Sequence, residues 1–362
     1  MSDLTIPKTM KAVVCHGKGD YRYEEVPVPE IGKEEVLLKV LSSGICAGDI
    51  KCFAGAAMFW GDADRPGYCE TPVIPGHEFV GQVVALGKGA AEKYGLAIGD
   101  HAVSEQIIPC GECRFCRNGQ YWMCAPHDIY GFHRSTQGSW AEYMKLPAKA
   151  INYKLPDDMD PKLGAFVEPL ACSIHAVNRG KIGLNDVVVI SGCGALGLGM
   201  VATARLKNPA KLIALDLISA RLDLAMACGA DLVLNPTETD VVQAVREMTD
   251  GYGCDVYIEA TGSGKSVAQG LHMIRKLGTF VEFSVFQEPV TVDWTIIGDS
   301  KELDIFGAHC SPHTYPVAIR MLRDGLLPMD KILSHSLPLS EFQKGMELAK
   351  DSLASLKVTL EP

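Results

Sequence analysis

No block of lysine and arginine occurs anywhere in the 362 residues, and the formal charge is -10. An acidic chain repels a polyanionic backbone, so nucleic acid is excluded as an expected partner. The opening stretch MSDLTIPKTMKAVVC has no apolar core of signal-peptide length and no small-residue cleavage site. Secretion is therefore not expected, and a cytoplasmic location is. Tandem repeats and low-complexity segments are absent as well. The longest uncharged run, residues 187–204, is interrupted by glycines in a strand-then-helix arrangement, which suits a globular fold better than a membrane span.

What is present describes a globular protein: 47% apolar and 22% charged residues. A chain of this length exceeds one ordinary core, and two domains of about 150 to 200 residues are expected. The first 150 residues read as short strands broken by glycine and proline: MKAVVCHG, EEVLLKVLSSG, HEFVGQVVALG, GDHAVSE and SWAEYMKLPA. From about residue 186 strand and helix alternate: DVVVISG, ALGLGMVATARLK, KLIALD, SARLDLAMACG, ADLVLN, VVQAVREMT, CDVYIEATG and TFVEFSV. That spacing predicts βαβ units and a doubly wound parallel sheet, making the fold class α/β. The tail holds a helix, TYPVAIRMLRDG, and a final strand, SLKVTLEP, which is expected to return to the first domain.

Thirteen cysteines is a high count, and in a reduced compartment clustered thiols more often bind metal than pair as disulfides. CGECRFCRNGQYWMC sets Cys110, Cys113, Cys116 and Cys124 at C-x2-C-x2-C-x7-C. Thiolates at this spacing converge on a tetrahedral ion at about 2.3 Å, and four of them close the shell to water and substrate. A structural zinc is the leading reading, with an iron-sulfur centre or two disulfides as alternatives. Without a histidine pair, and with this acidic charge, a DNA-reading finger is disfavoured.

SGCGALGLG follows an apolar strand and opens a helix, giving Gly192, Gly194 and Gly197 as G-x-G-x-x-G, with Ala195 and Leu196 between them. Such glycines permit a tight turn and close approach of a pyrophosphate, and the helix N-terminus attracts the phosphates. Asp216 ends the next strand, where it accepts hydrogen bonds from an adenosine ribose and repels a 2'-phosphate, so NAD is favoured over NADP. Arg221 is placed to stack on adenine or to support NADP. A glycine-rich turn without a ligand is the blander alternative.

Cys46 in GICAGD, His77 and Glu78 in GHEFVG, and Glu168 in AFVEPLACSIHA form a mixed sulfur, nitrogen and oxygen set of the kind an open zinc site uses. They lie far apart in the chain, and spacing alone does not show that they converge. A satisfied core histidine and a helix-capping glutamate are the competing readings.

These segments, taken in order with the four-cysteine loop and GCGALGLG, resemble the zinc-dependent medium-chain dehydrogenases over nearly the whole chain. The resemblance implies a GroES-like β-barrel catalytic domain over residues 1–170 and 309–362, with a structural-zinc lobe at about 105–127. It also implies a Rossmann NAD-binding domain over 171–308, and two zinc ions per subunit, one catalytic and one structural. Carried over position by position, Cys46 and His77 are zinc ligands, Glu78 is a direct or exchangeable ligand, and Asp49 is the carboxylate that orients His77. The E-P-L segment is similar to the polyol, sorbitol-dehydrogenase-like branch, in which Glu168 binds zinc directly or through water. The family further implies a homo-oligomer, tetramer or dimer.

Ser or Thr two residues after the first ligand cysteine, and His five after it, form the proton relay of many relatives; Gly48 and Lys51 stand there instead. Zinc still lowers the pKa of a bound alcohol, so water with Glu168 or Glu78 is expected to take the proton. Phe53, Phe59, Trp60, Phe132 and Trp140 are candidate cleft walls, and His127, His133, His309 and His313 candidate polar contacts. The usual sugar-alcohol contacts give way to residues around Cys310 and Ser311, which disfavours sorbitol. The loop GAAMFWGD and Gly48 resemble four-carbon polyol dehydrogenases of the erythritol and threitol type. The expected activity is hydride transfer from a secondary hydroxyl of a short polyol to NAD, giving a ketose. A secondary-alcohol or 2,3-butanediol dehydrogenase, and a non-catalytic NAD- or zinc-binding sensor, are the alternatives.

Overall fold

Apolar residues recur in short extended runs through the N-terminal third, and each run buries one face as a strand. The computed structural model describes residues 6–362; the start of the stretch read for a leader lies outside the described residues. Two compact units result. One comprises residues up to Glu168 together with 315–324 and 329–362, and the other comprises 169–314 and 325–328.

In the first unit, Thr9–Gly17 pairs antiparallel with Asp20–Pro27. A seven-stranded sheet follows, in the order Leu333–Pro338, Lys357–Glu361, Val36–Gly44, Glu78–Leu86, His101–Ser104 and Asn152–Lys154. Tyr143–Leu146 pairs separately with Val36–Gly44. The five strands read from sequence in this region all form. Asp20–Pro27 was not foreseen, because most of its side chains face outward and blur the alternation that marks a half-buried strand.

Register brings three distant segments together at one glycine. Gly44 faces Glu78 on one side and Thr359 on the other. A side chain at Gly44 would run into the Glu78 carboxylate and come within 3.1 Å of Lys357 Cε, so only glycine lets these strands close here.

The second unit is a six-stranded, wholly parallel sheet in the order Leu232–Leu234, Lys211–Leu215, Val187–Ser191, Cys254–Glu259, Ile274–Glu282 and Asp304–Gly307. In chain order this is 3-2-1-4-5-6, the doubly wound arrangement, with its switch point beside Val187–Ser191. The central strands are buried along their lengths, because helices cover both faces of a parallel sheet. The α/β class with a parallel dinucleotide-type sheet thus stands as read. Among the described residues, no helix is long and apolar enough to cross a membrane.

Candidate functional site

The site grows from the Gly44 crossing. Two residues beyond Gly44, Cys46 caps the helix Ala47–Ala54: its Sγ accepts from Gly48 N–H (3.4 Å). The Asp49 carboxylate returns the contact by accepting from Cys46 N–H (2.9 Å). This reciprocal cap fixes the direction of the sulfur before any metal is considered. His77 and Glu78 start the facing strand, and their ligand atoms lie with Cys46 Sγ within 4.8 Å of one another. Among the described residues only two such groups exist, and the second is the cysteine quartet.

The electrostatics of the first group call for a cation. His77 and Glu78 are buried, and so are Asp49 and Glu168. Burial, with the Glu78 charge added, pushes the Cys46 thiol up, and burial also raises the Asp49 carboxyl. For His77, burial favours the neutral ring, but Asp49 and Cys46 together outweigh it and hold the imidazole well above its ordinary value. Asp49 Oδ1 lies 3.7 Å from His77 Nδ1, which has no hydrogen-bond partner. A thiol, an imidazole and a carboxylate converging in a buried, acid-rich spot, with one ring nitrogen turned to Asp49, are the donors a zinc site requires.

Two features here were not foreseen. Lys357, from the C-terminal strand, forms a buried ion pair with Glu78 Oε2 and donates to the Ile45 carbonyl (3.1 Å). Burial pulls the Lys357 ammonium down, yet the Glu78 and Cys46 charges outweigh it and keep the group above the ordinary lysine range. A lone lysine in a final strand carries no local signal; only the pairing of Thr359 with Gly44 puts it here. Gly44 was likewise read as an ordinary strand end.

Glu168 is treated differently from the sequence expectation. It opens the helix Val167–Arg179 and its charge acts on His77 and Lys357, but it stands outside the mutually close group of Cys46, His77 and Glu78. Lys51, five residues after Cys46 on the same helix, has its ammonium lowered by burial. Of the aromatics, Phe59 and Phe132 stack (5.1 Å between ring centres), and Phe132 lies 5.6 Å from the His77 ring. Trp140 is instead fully buried in the core, and Phe53 packs on Tyr21. His127 and His133 pack around Tyr68, at 5.9 and 4.6 Å. His309 contacts Cys310 (3.1 Å) in the second unit.

The cysteine quartet also converges. Its thiols are free, and Cys110 and Cys116 sulfurs stand 3.9 Å apart, far beyond a disulfide bond. Backbone N–H groups of Glu112, Cys113, Cys116 and Ala125 donate to these sulfurs at 3.3 to 3.5 Å. Those donors bring the Cys113 thiol down to about 6 and lower Cys110, whereas burial lifts Cys116 to about 12. Donors aimed at sulfur favour thiolates, which suits a four-sulfur metal site. Tyr121, inside this loop, donates to Glu105 Oε2 (2.7 Å), while Tyr153 holds Oε1 (2.8 Å).

In the second unit Gly192 follows the strand Val187–Ser191 with φ of 101°, a conformation suited to glycine, and any side chain would come 2.8 Å from the Ala260 carbonyl. Gly194 precedes the helix Ala195–Leu206, which begins Ala195-Leu196, and a side chain at Gly197 would collide with the Gly192 carbonyl. Asp216 accepts from Cys193 N–H (2.7 Å) and Ile218 N–H (2.9 Å), so its carboxylate is fixed beside the turn. Arg221 reaches toward Gly194, its Nη1 3.9 Å from where a side chain there would begin. The turn carries no side chain at Gly192, Gly194 or Gly197 and leads into a helix N-terminus, the arrangement that suits a dinucleotide phosphate.

Comparison with known proteins agrees with both halves. The family descriptions "Alcohol dehydrogenase GroES-like domain" and "Zinc-binding dehydrogenase" match residues 32–157 and 195–324. The chain is 54% identical over 357 residues to the erythritol/L-threitol dehydrogenase of Mycolicibacterium smegmatis, covering 99% of each. It is 32% identical to a sorbitol dehydrogenase of Bombyx mori, covering 96% of this chain and 97% of that one. A crystal structure of a zinc-binding dehydrogenase from Sinorhizobium meliloti bound to NADP superposes with a TM-score of 0.88 at 30% identity, over 98% of this chain and all of that one. With a GroES-like half, a doubly wound half and both ligand clusters in place, this chain belongs to the zinc-dependent medium-chain dehydrogenase family.

Proposed function

We propose that the chain oxidises a secondary hydroxyl of a four-carbon polyol of the erythritol or threitol type to a ketose, with NAD as hydride acceptor. The observation that carries this reading is the 54% identity along 99% of both chains to the Mycolicibacterium smegmatis enzyme, joined to the convergence of Cys46, His77 and Glu78. The first unit is the catalytic domain with its structural-zinc lobe, and the second binds NAD. Cys46 and His77 hold the catalytic metal, with Glu78 as an exchangeable third donor, and Cys110, Cys113, Cys116 and Cys124 hold the structural one. A bound zinc supplies the Lewis acid that makes the hydroxyl acidic, and NAD supplies the hydride acceptor.

The protein's own residues do the rest. Asp49 faces the His77 ring and fixes its orientation, and the same carboxylate fixes Cys46 through the helix cap. Because Glu78 Oε2 is engaged by Lys357, Glu168 is the carboxylate that takes the hydroxyl proton, through water, in place of the relay that Gly48 and Lys51 do not provide. Phe59 and Phe132 form an apolar wall beside His77. Gly192, Gly194, Ala195, Leu196 and Gly197 cradle the pyrophosphate, Asp216 receives the adenosine ribose, and Arg221 lies over the adenine. The thirteen cysteines, all free, fit a cytoplasmic enzyme. The strand Asp304–Gly307 ends the parallel sheet with Ile305 exposed and Trp294 exposed nearby in sequence, which suits a homo-oligomer.

The test is NAD reduction by metal-assayed protein over a panel of C3 to C6 polyols and monohydric alcohols. Fastest turnover with a four-carbon polyol supports the reading. Preference for monohydric alcohols or 2,3-butanediol would replace it with a simple secondary-alcohol dehydrogenase, and NAD binding without turnover on any of them with a sensor.

A further inference from the structure

Ion pairs on the surface, such as Lys11 with Glu25, add little to a protein. The pair between Lys357 and Glu78 is of another kind, because both residues are buried, 5% and 1% exposed. The carboxylate is held from two sides. Lys357 engages Oε2, and Gly44 leaves free the space that this oxygen fills, since a side chain there would run into it. The ammonium is anchored as well. It donates to the Ile45 carbonyl (3.1 Å), and Ile45 N–H in turn donates to the carbonyl of Val358, the residue after Lys357 (2.9 Å). Lys357 is thus tied to the backbone just before Cys46 while it grips the side chain of Glu78. Those two residues, with His77, form the group whose ligand atoms lie within 4.8 Å of one another. A positive side chain therefore sits against a cluster whose donors suit a cation, and one carboxylate cannot serve both charges in full.

We infer that Lys357 is a positioning residue that competes with the catalytic metal for the Glu78 carboxylate and so sets how firmly that metal is held. The inference rests on the reading that Cys46, His77 and Glu78 hold the catalytic metal. With Oε2 given to the ammonium, Glu78 has Oε1 to offer. A donor limited to one oxygen leaves a position for a hydroxyl, as a catalytic zinc site requires. The sign of the effect follows from the metal-free state. With Lys357 present, the buried carboxylate has a cation whether or not metal is bound. Without Lys357, the metal-free protein carries an uncompensated buried charge, and binding the metal relieves part of that penalty. A change that raises the free energy of the metal-free state more than that of the loaded state tightens binding. Loss of Lys357 therefore strengthens the hold on the metal, whereas ordinary damage to the site weakens it.

The experiment loads the full chain with zinc, equilibrates it against a graded excess of a chromophoric chelator, and measures the zinc left on the protein. It compares the wild type, Lys357→Met, Glu78→Gln and the double variant, with Cys46→Ser identifying which zinc is the catalytic one. Lys357→Met is expected to retain that ion on the order of 10-fold more tightly than the wild type. In the Glu78→Gln background the same change should bring a clearly smaller gain, because the contested carboxylate is gone. Weaker or unchanged retention in Lys357→Met, or an equal gain in both backgrounds, would overturn the inference. Failure of the reading beneath it looks different: the wild type would hold a single zinc, or Cys46→Ser would keep both, and the inference would fall with it. Should Lys357→Met fail to fold, Lys357→Gln takes its place, an uncharged side chain able to donate to Glu78 and Ile45, with the same tighter retention expected.

Discussion

The two metal-type clusters in the first unit are built on opposite plans. Cys110, Cys113, Cys116 and Cys124 come from one short loop, lie near the surface, and have their sulfurs steadied by neighbouring backbone N–H groups. Cys46, His77 and Glu78 come from two strand ends, and a third strand brings Lys357 to Glu78 in the buried interior. The first is a local object, whose geometry follows from spacing. The second is a tertiary object: it exists only if the register at Gly44 is right. A closed shell of four like donors has structure as its use, whereas a mixed, charged, buried set leaves room for chemistry.

The sharpest way to break that contrast is to cut each cluster in turn. If the proposed ligand set is right, Cys46→Ser is expected to lower turnover on the order of 10³-fold or more while leaving the quartet's metal content and the fold unchanged. Cys113→Ser should do the reverse: loss of the other metal and a lower unfolding temperature, with metal analysis and calorimetry as readouts. Equal loss of activity and stability in both variants would erase the distinction.

Lys357→Met comes next. It leaves Glu78 buried without its cation, and breaking a buried pair costs about 3 to 5 kcal/mol, read as a fall in denaturation midpoint. Asp49→Asn should cost roughly 10 to 100-fold in metal affinity or activity, because the ring of His77 and the cap at Cys46 lose one shared anchor. Both effects should exceed any made by a conservative change around the quartet.

The smallest effect concerns the tie between the quartet loop and the sheet. Burial raises Glu105 from 4.5 to about 7, against the hydrogen bonds from Tyr121 and Tyr153. A carboxyl raised on folding holds its proton in the native state after the unfolded chain has lost it. This contribution to stability is therefore full below about 4.5 and is lost as pH rises toward about 7. Glu105→Gln should flatten the pH dependence of the unfolding midpoint in that window; an unchanged slope would show that Glu105 does not supply it.

Much of the fold was legible because hydrophobic period survives in the sequence. The run from Val187 to Phe280 alternates strand and helix with glycine and proline at the joints, and the parallel sheet follows. Asp20–Pro27 and the edge strand Asp304–Gly307 were missed because they bury too few side chains to show a period: one residue of eight is buried in the first and none of four in the second. Among the candidate site residues, the quartet, the glycine turn and Asp216 were proposed from spacing. Cys46, His77 and Glu78 were proposed from their donor chemistry and, with Asp49, from family resemblance, and Lys357 and Gly44 were not proposed at all.

The sequence by itself determined what depends on neighbours along the chain: the thiol quartet, the phosphate turn, the cap that joins Cys46 to Asp49, and the succession of strands and helices. Only the tertiary structure decided which distant carboxylate stands with Cys46 and His77, that Lys357 neutralises it, and that Glu168 remains outside the group. The physical reason is register. A one-residue slip in pairing turns every side chain of a strand to the other face, and that choice is made by packing across the whole sheet rather than by any local run of residues.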